Sequence, residues 1–265
     1  MTNQIPQIIV ALHLPEPQGK KPLPMSYLED FVYQNMLVFK KGGVPAVKLQ
    51  DQTPTNGTTR PETIAIMSAL GKMIRTEFPE IDLGIIVESH DAYGPIAIAH
   101  AVGASFVRIK VFVGAMLKAG GIQEGCGVDA DDFRHLLGSE KINILADVHD
   151  RVGYPILPVS ITHASQWAVR TGADALILTG KTFQESLEMI TTVKQAGINR
   201  PILLGGSANE ENIGEILSVA DGVIVSSAFK KDHLQKGDLV YWDEEKIIRF
   251  MDKVRQFNAN NQKNG

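Results

Sequence analysis

The chain holds a single cysteine, Cys126, among its 265 residues. One thiol excludes an intramolecular disulfide and a multi-cysteine zinc centre, so any metal bound here would take His and carboxylate ligands. A basic surplus is also missing, because 26 Lys and Arg stand against 30 Asp and Glu, for a net charge of −4. A nucleic-acid binder built on a broad cationic face is therefore not expected. No run approaches the ~18–20 uninterrupted apolar residues of a spanning helix, so no transmembrane segment is expected. Met1 to Val10 carry no basic stretch leading into a long apolar run. A secretory signal is thus not expected, and a cytoplasmic protein is the default. Finally, the first β-rich run continues as Leu12-His13-Leu14-Pro15, with no G-x-G-x-x-G, and no Walker A motif occurs anywhere. A dinucleotide or nucleotide loop on a doubly wound sheet is disfavoured accordingly.

What is present is a repeat of short apolar runs and amphipathic stretches. Hydrophobic residues make up 44% and charged residues 21%, which fits a globular chain rather than a disordered one. Length divided by the usual ~150 residues would suggest about two domains. The pattern suggests one. Strands are expected at Ile8–Leu12, Val44–Leu49, Leu83–Val87, Phe106–Val111, Ile142–Ala146, Ala175–Leu178, Pro201–Leu204 and Gly222–Val225. Helices are expected at Ser26–Lys41, Pro61–Glu77, Asp91–Ala101, Asp129–Leu137, Ala164–Thr171, Phe183–Ala196, Asn209–Val219 and Asp243–Phe257. Ser26 and Glu29 have capping-box spacing, and Pro61 suits a first helical position. The strands are apolar on both faces, as in a parallel sheet covered by helices. Eight βα units imply a single (β/α)8 TIM barrel of the phosphate-binding type over residues 1–257, followed by a frayed polar tail over 258–265.

In such a barrel, chemistry sits at the C-terminal ends of the strands. Those ends supply His13; Lys48, Gln50 and Asp51; Glu88, His90 and Asp91; Arg108 and Lys110; Asp147 and His149; Thr179 and Lys181. On the fourth strand, alternation sends Val107, Ile109 and Val111 to the helices and Phe106, Arg108, Lys110 and Phe112 inward. The same alternation puts Asp147 and His149 on one face and Glu88 and His90 on another. Inward cations need partners, for which Glu88 and Asp147 are the candidates. Asp147 and His149, with Glu88 and His13, could equally carry protons or ligate a divalent metal. Lys48, Lys110 and Lys181 are each open to Schiff-base chemistry.

The sharpest feature closes the chain. Gly205-Gly206-Ser207 follows the seventh strand, and Ser226-Ser227-Ala228-Phe229-Lys230 follows the eighth. These are the loops that hold a phosphate in many barrels, with glycine allowing close backbone approach, Ser207, Ser226 and Ser227 offering hydroxyls, and Lys230 adding charge. Gln50–Arg60 and Val113–Val128 read as long rim loops suited to lids, and Asp150–Thr162, with Pro155 and Pro158, as a stiffer one. Cys126, alone among glycines, reads as incidental.

The runs Phe112-Val113-Gly114-Ala115, Gly121-Ile122-Gln123-Glu124-Gly125 and Leu145-Ala146-Asp147-Val148-His149 together resemble the BtpA/SgcQ family, named after a photosystem I biogenesis protein. The resemblance continues through Ala175 to Lys181, Gly205-Gly206-Ser207 and Ala220 to Ser227, and so covers most of the chain from about Leu83 to Phe250. It implies a TIM barrel related to the ribulose-phosphate-binding group and a site role for Asp147, His149, Gly205, Gly206, Ser207, Ser226 and Ser227. Two departures from the family pattern, Lys48-Leu49-Gln50-Asp51-Gln52 after the second strand and a charged residue at Lys110, imply an altered substrate.

The leading expectation is an enzyme on a small phosphorylated metabolite, such as a sugar phosphate, working by proton transfer as an isomerase, epimerase or aldol-type lyase. Asp147 and His149 would move protons, assisted by Glu88, Lys110 or Arg108. The alternative is a non-catalytic assembly or regulatory protein on the same scaffold. No cofactor is fixed by the sequence; a divalent metal and a homo-oligomer remain open.

Overall fold

The computed structural model describes residues 4–16, 23–53, 57–235 and 237–264. Its strands are β1 (Ile8–His13), β2 (Ala46–Gln50), β3 (Asp82–Ile86), β4 (Phe106–Ile109), β5 (Ala115–Lys118), β6 (Gly121–Glu124), β7 (Asn143–Asp147), β8 (Tyr154–Pro155), β9 (Ala175–Leu178), β10 (Ile202–Leu204) and β11 (Gly222–Val225). Eight of these, all parallel, close a barrel in the order β1-β11-β10-β9-β7-β4-β3-β2, with β1 paired to both β11 and β2. The helices are α1 (Met25–Lys41), α2 (Pro61–Glu77), α3 (Tyr93–Val102), α4 (Gly127–Leu136), α5 (Ile161–Arg170), α6 (Phe183–Gln195), α7 (Ile213–Val219) and α8 (Glu244–Asn264). This is the TIM barrel that the βα repeat implies.

Two apolar shells hold it together. The larger lies between strands and helices, and the smaller fills the barrel interior with Ile9, Ala11, Ala46, Phe106, Leu145, Ala175, Ile177, Leu203 and Ile224. Phe106 reaches across this floor because β3 offers Gly84 opposite it; a Cβ at Gly84 would lie 1.9 Å from Phe106 Cε2. Continuing two residues along each strand from this floor, the inward positions turn polar: Ala46 is succeeded by Lys48 and Gln50, Phe106 by Arg108, and Leu145 by Asp147. The apolar floor thus closes one end of the barrel, and the ionisable groups gather at the other.

Several local expectations change. Pro24, not Ser26, precedes α1 as its cap, and it gives no side-chain bond; Ser26 lies within the helix. Side-chain caps occur instead at Ser160, which accepts from the His163 N–H, and Thr182, which accepts from the Glu185 N–H. Pro61 does open α2. The expected polar tail is helix, since α8 runs to Asn264. No Pro or Gly interrupts it, and the Asn258 amide donates to Gln7 Oε1 at 2.9 Å. Gly265 lies outside the described residues, as do residues 54–56 of the loop after β2.

The largest addition is a small antiparallel sheet, in the order β6-β5-β8. The glycine-rich Val113–Val128 loop forms the β5–β6 hairpin, with Ala115 opposite Glu124, and the loop after β7 contributes β8, with Met116 opposite Pro155. Lys118 seals the join by an ion pair to Asp150 at 2.6 Å. Sequence periodicity does not find these strands, because they are four, four and two residues long and interrupted by glycine.

Candidate active site at the barrel mouth

The C-terminal mouth of the barrel opens into a cavity of about 400 Å³. Every barrel strand or the turn just after it contributes: Ala11 and His13 from β1, Lys48 and Gln50 from β2, Ile86 and Glu88 at β3, Arg108 and Lys110 at β4, Asp147 from β7, Thr179 after β9, Gly205 to Ala208 after β10, and Ile224, Ser226 and Ser227 at β11. Asp150, Arg151 and Val152 lean in from the loop after β7.

One wall is a chain of ionic and hydrogen-bonded pairs. Arg108 grips Asp147 through two parallel bonds, Nε to Oδ2 and Nη2 to Oδ1, each 2.8 Å. Burial opposes its charge, but the Asp147 carboxylate more than offsets this and holds the guanidinium above its ordinary pKa. Lys110 Nζ donates to Glu88 Oε2 at 2.7 Å, and the Gln50 amide donates to the other Glu88 oxygen. Burial works against ionisation of Glu88, yet Lys110 and Gln50 together keep it below the usual carboxylate range. The side chains of Lys110 and Glu88 are 23% and 26% exposed, against 14% and 4% for Arg108 and Asp147. The first pair is thus open to a ligand, and the second braces the wall.

Around these pairs sit groups with different duties. Lys48 is almost wholly buried and donates to Gln50 Oε1. Burial first, then the neighbouring Arg108 and Lys110, push its ammonium well below its usual pKa. His13 lies with Nδ1 3.5 Å from Ser226 Oγ. Burial, with Lys48 and Lys230 nearby, lowers its pKa to about 4, so the imidazole is neutral at pH 7. Asp51 accepts the Glu88 N–H at 2.7 Å and so fixes the strand end behind that carboxylate; burial raises its pKa.

The opposite wall is the glycine–serine turn. Gly205 is required by packing, because a Cβ there would lie 2.1 Å from Thr179 Oγ1. Gly206 is different: a Cβ there would have only Arg151 Nη1 within 4 Å, at 3.7 Å. Ser207 adopts φ 64°, a left-handed conformation that few non-glycine residues take. Among the described residues, the N–H groups of Gly206 and Ser207 make no backbone hydrogen bond. Among the same residues, Thr179 Oγ1, buried at the foot of this turn, also has no hydrogen-bond partner. Three unused polar groups on one wall of a cavity are the arrangement a ligand would complete.

The sequence pattern of the BtpA family matches residues 7–256. The chain belongs to the BtpA family. Among its relatives, the uncharacterized protein MJ1115 of Methanocaldococcus jannaschii is 30% identical over 247 residues, covering 89% of this chain and 93% of the relative. The photosystem I biogenesis protein BtpA of Synechocystis is 35% identical over 152 residues, covering 56% of this chain and 53% of the relative. Among solved structures, 3-hexulose-6-phosphate synthase from Salmonella typhimurium superposes with a TM-score of 0.59 at 13% identity, covering 95% of this chain and 99% of that one. The last likeness is one of fold.

In this BtpA-family chain the mouth gathers Glu88, Arg108, Lys110, Asp147, Gly205, Gly206, Ser207, Ser226, Ser227 and His13, all expected there. It does not gather His149, His90, Lys230 or Lys181. His149 was expected on the face of Asp147, but β7 ends at Asp147 and the chain bends. The imidazole lines a separate apolar pocket of about 260 Å³ beneath the antiparallel sheet, with Val113, Met116, Pro155 and Trp167, where burial lowers its pKa. Phe112 likewise leaves the inward row and joins the outer core. The cause is Val111, a fully buried β-branched residue at φ 47°, which breaks the alternation just after Lys110. His90 pairs with the Glu124 carbonyl at 2.6 Å, and Lys181 stands over the Tyr154 ring at 4.9 Å. Lys230 lines an adjacent cavity of about 660 Å³ with Tyr27 and Tyr241, and His13 borders both chambers.

The metal reading fails on the donor set. Asp147 is committed to Arg108, Glu88 to Lys110, and His149 points elsewhere. Among the described residues, no group of three His, Cys, Asp or Glu is placed to hold a metal ion. Cys126 is half-buried, and burial raises its thiol pKa to about 12, which fits no nucleophilic role. Sequence reasoning missed Asp150 and Arg151, whose approach depends on the antiparallel sheet, a contact with no periodic signal.

Proposed function

We propose that the chain is an enzyme acting on a small phosphorylated metabolite of the sugar-phosphate class, with proton transfer at the Lys110–Glu88 pair. The observation that carries this reading is the two-sided cavity: unused donors at Gly206, Ser207 and Thr179 on one wall, and an ionised, ligand-accessible acid–base pair on the other. A phosphate would take the Gly206 and Ser207 N–H groups and the hydroxyls of Ser207, Ser226 and Ser227. Short helical turns follow both loops, so binding rests on these donors rather than on a long helix dipole. Glu88, an acceptor at neutral pH, would remove a proton from the carbon or hydroxyl next to a carbonyl, while Lys110 donates to the oxygen on which charge develops. Arg108 and Asp147 are positioning residues, and His13 supplies a neutral imidazole at the boundary with the second chamber.

Thermal unfolding with inorganic phosphate, dihydroxyacetone phosphate and ribulose 5-phosphate tests the binding half. A ligand at about 100 times its Kd adds about 2.7 kcal/mol to the folded state, a plain rise in Tm. No rise with any of them defeats the reading. Deuterium incorporation from D2O into the bound sugar phosphate, followed by NMR and lost in Glu88→Gln, tests the chemistry.

A second reading, a non-catalytic assembly protein, is favoured by the apolar face of the antiparallel sheet, where Leu117, Ile122, Tyr154 and Leu157 are exposed. Under it, Glu88→Gln and Lys110→Met would alter stability while wild type catalysed no exchange.

A further inference from the structure

Three lysines are candidates for carbonyl chemistry on sequence grounds, and the structure separates them. Lys181 is exposed over the Tyr154 ring, outside the mouth. Lys110 lines the mouth, but its Nζ is engaged by Glu88 at 2.7 Å. Lys48 differs from both. It lies on β2 at an inward position, is 2% exposed, and lines the same cavity as Gly206 and Ser207. Among the described residues its side chain makes one hydrogen bond, to a neutral acceptor, Gln50 Oε1, and no carboxylate lies within 4.0 Å of Nζ. Glu88 and Asp147, the nearby carboxylates, are engaged by Lys110 and Arg108.

We infer that Lys48 is a nucleophilic amine, and that the phosphorylated substrate carries an aldehyde or ketone that this amine attacks. The inference rests on the phosphate reading for the placement of the substrate, though not for the character of the amine. A buried ammonium with no carboxylate partner is costly, so the site favours the free base. An ordinary lysine holds only roughly one part in 2,500 as free amine at pH 7, given its pKa of about 10.4. The direction in which burial, Arg108 and Lys110 move Lys48 agrees with the geometry.

The step balances without a co-reactant. The Nζ lone pair forms a bond to the carbonyl carbon, and the carbonyl π pair moves to oxygen. The two protons that nitrogen gives up go to that oxygen, which leaves as water, and the C=N bond of an imine remains. Lys110 is placed to lend a proton to the departing oxygen, and Glu88 to return one. A proton passed from Lys110 to the imine nitrogen gives the iminium, which makes the adjacent carbon more acidic, and this is what the proton transfer at Glu88 needs.

The test uses the full-length protein and two carbonyl probes with borohydride reduction, read by peptide mass mapping. Dihydroxyacetone phosphate is expected to leave a reduced adduct on Lys48, suppressed by excess inorganic phosphate. Formaldehyde with borohydride at pH 7, which needs no phosphate site, is expected to methylate Lys48 ahead of Lys110 and Lys181. Lys48→Arg should abolish the dihydroxyacetone phosphate adduct while dihydroxyacetone phosphate still raises Tm; the wild-type map stands alone if that variant does not fold. A raised Tm with adducts only on other lysines overturns the inference and leaves the phosphate reading intact. Formaldehyde labelling of Lys48 with no Tm change from any phosphorylated probe keeps the amine and removes the phosphate reading. Failure of both probes to mark Lys48 overturns the inference outright.

Discussion

Replacing His13 by Asn should change how the stability of this protein depends on pH. His13 ends β1, and burial, reinforced by Lys48 and Lys230, lowers its pKa from 6.5 to about 4. In the unfolded chain the imidazole titrates near 6.5, so between pH 6.5 and 4 the unfolded state binds the proton and the folded state refuses it. Unfolding free energy therefore falls as pH drops through that window, and this group adds no further change below about pH 4. A shift of 6.5 to about 4 corresponds to about 3 kcal/mol at ~1.36 kcal/mol per pH unit. Asn keeps a polar group near Ser226 and cannot titrate. Urea unfolding followed by circular dichroism, from pH 7.5 to 3.5, would give both proteins a stability curve. The two proteins share every other ionisable group, so the difference curve isolates His13. That difference should move by about 3 kcal/mol between pH 7 and 4, with wild type losing more. Curves that stay parallel within about 0.5 kcal/mol would refute the placement of a neutral, desolvated imidazole at this rim.

Three further outcomes follow from packing and pairing. Arg108→Met leaves the nearly inaccessible Asp147 carboxylate without its bidentate partner and should cost about 3–5 kcal/mol in urea unfolding, most of it restored by adding Asp147→Leu. Gly84→Ala places a methyl 1.9 Å from Phe106 Cε2 and should cost at least about 1–3 kcal/mol, with Phe106→Leu recovering much of the loss in the same denaturation assay. Gly205→Ala should lower Tm because its methyl meets Thr179, whereas Gly206→Ala should leave stability within about 0.5 kcal/mol and weaken dihydroxyacetone phosphate binding at least about tenfold by calorimetry.

The barrel is legible in the sequence because each of its strands is a short apolar run bounded by helix exits, and two, Ala175–Leu178 and Gly222–Val225, match to the residue. Alternation is equally reliable inside a strand: Arg108 turns inward beside Phe106, as its register requires. The reading fails further out, two residues past the end of β7 and three past the end of β4. There the chain leaves extended geometry, at Val111 by a left-handed turn and after Asp147 by a bend, so Phe112 and His149 land where parity would not send them. Partner choice is also hidden, because the attachment of Lys118 to Asp150 joins residues 32 positions apart through a sheet that periodicity does not reveal.

That sheet has a consequence for how specificity in this scaffold can be altered. In a barrel of independent loops, each βα segment can be exchanged as a cassette. Here the segments after β4 and β7 share one hydrogen-bonded ladder, from Glu124 through Ala115 and Met116 to Pro155. Grafting either segment alone would leave unpaired strand edges and a severed Lys118–Asp150 contact. The two segments therefore form one heritable module, and loop swaps among relatives should succeed as pairs and fail singly.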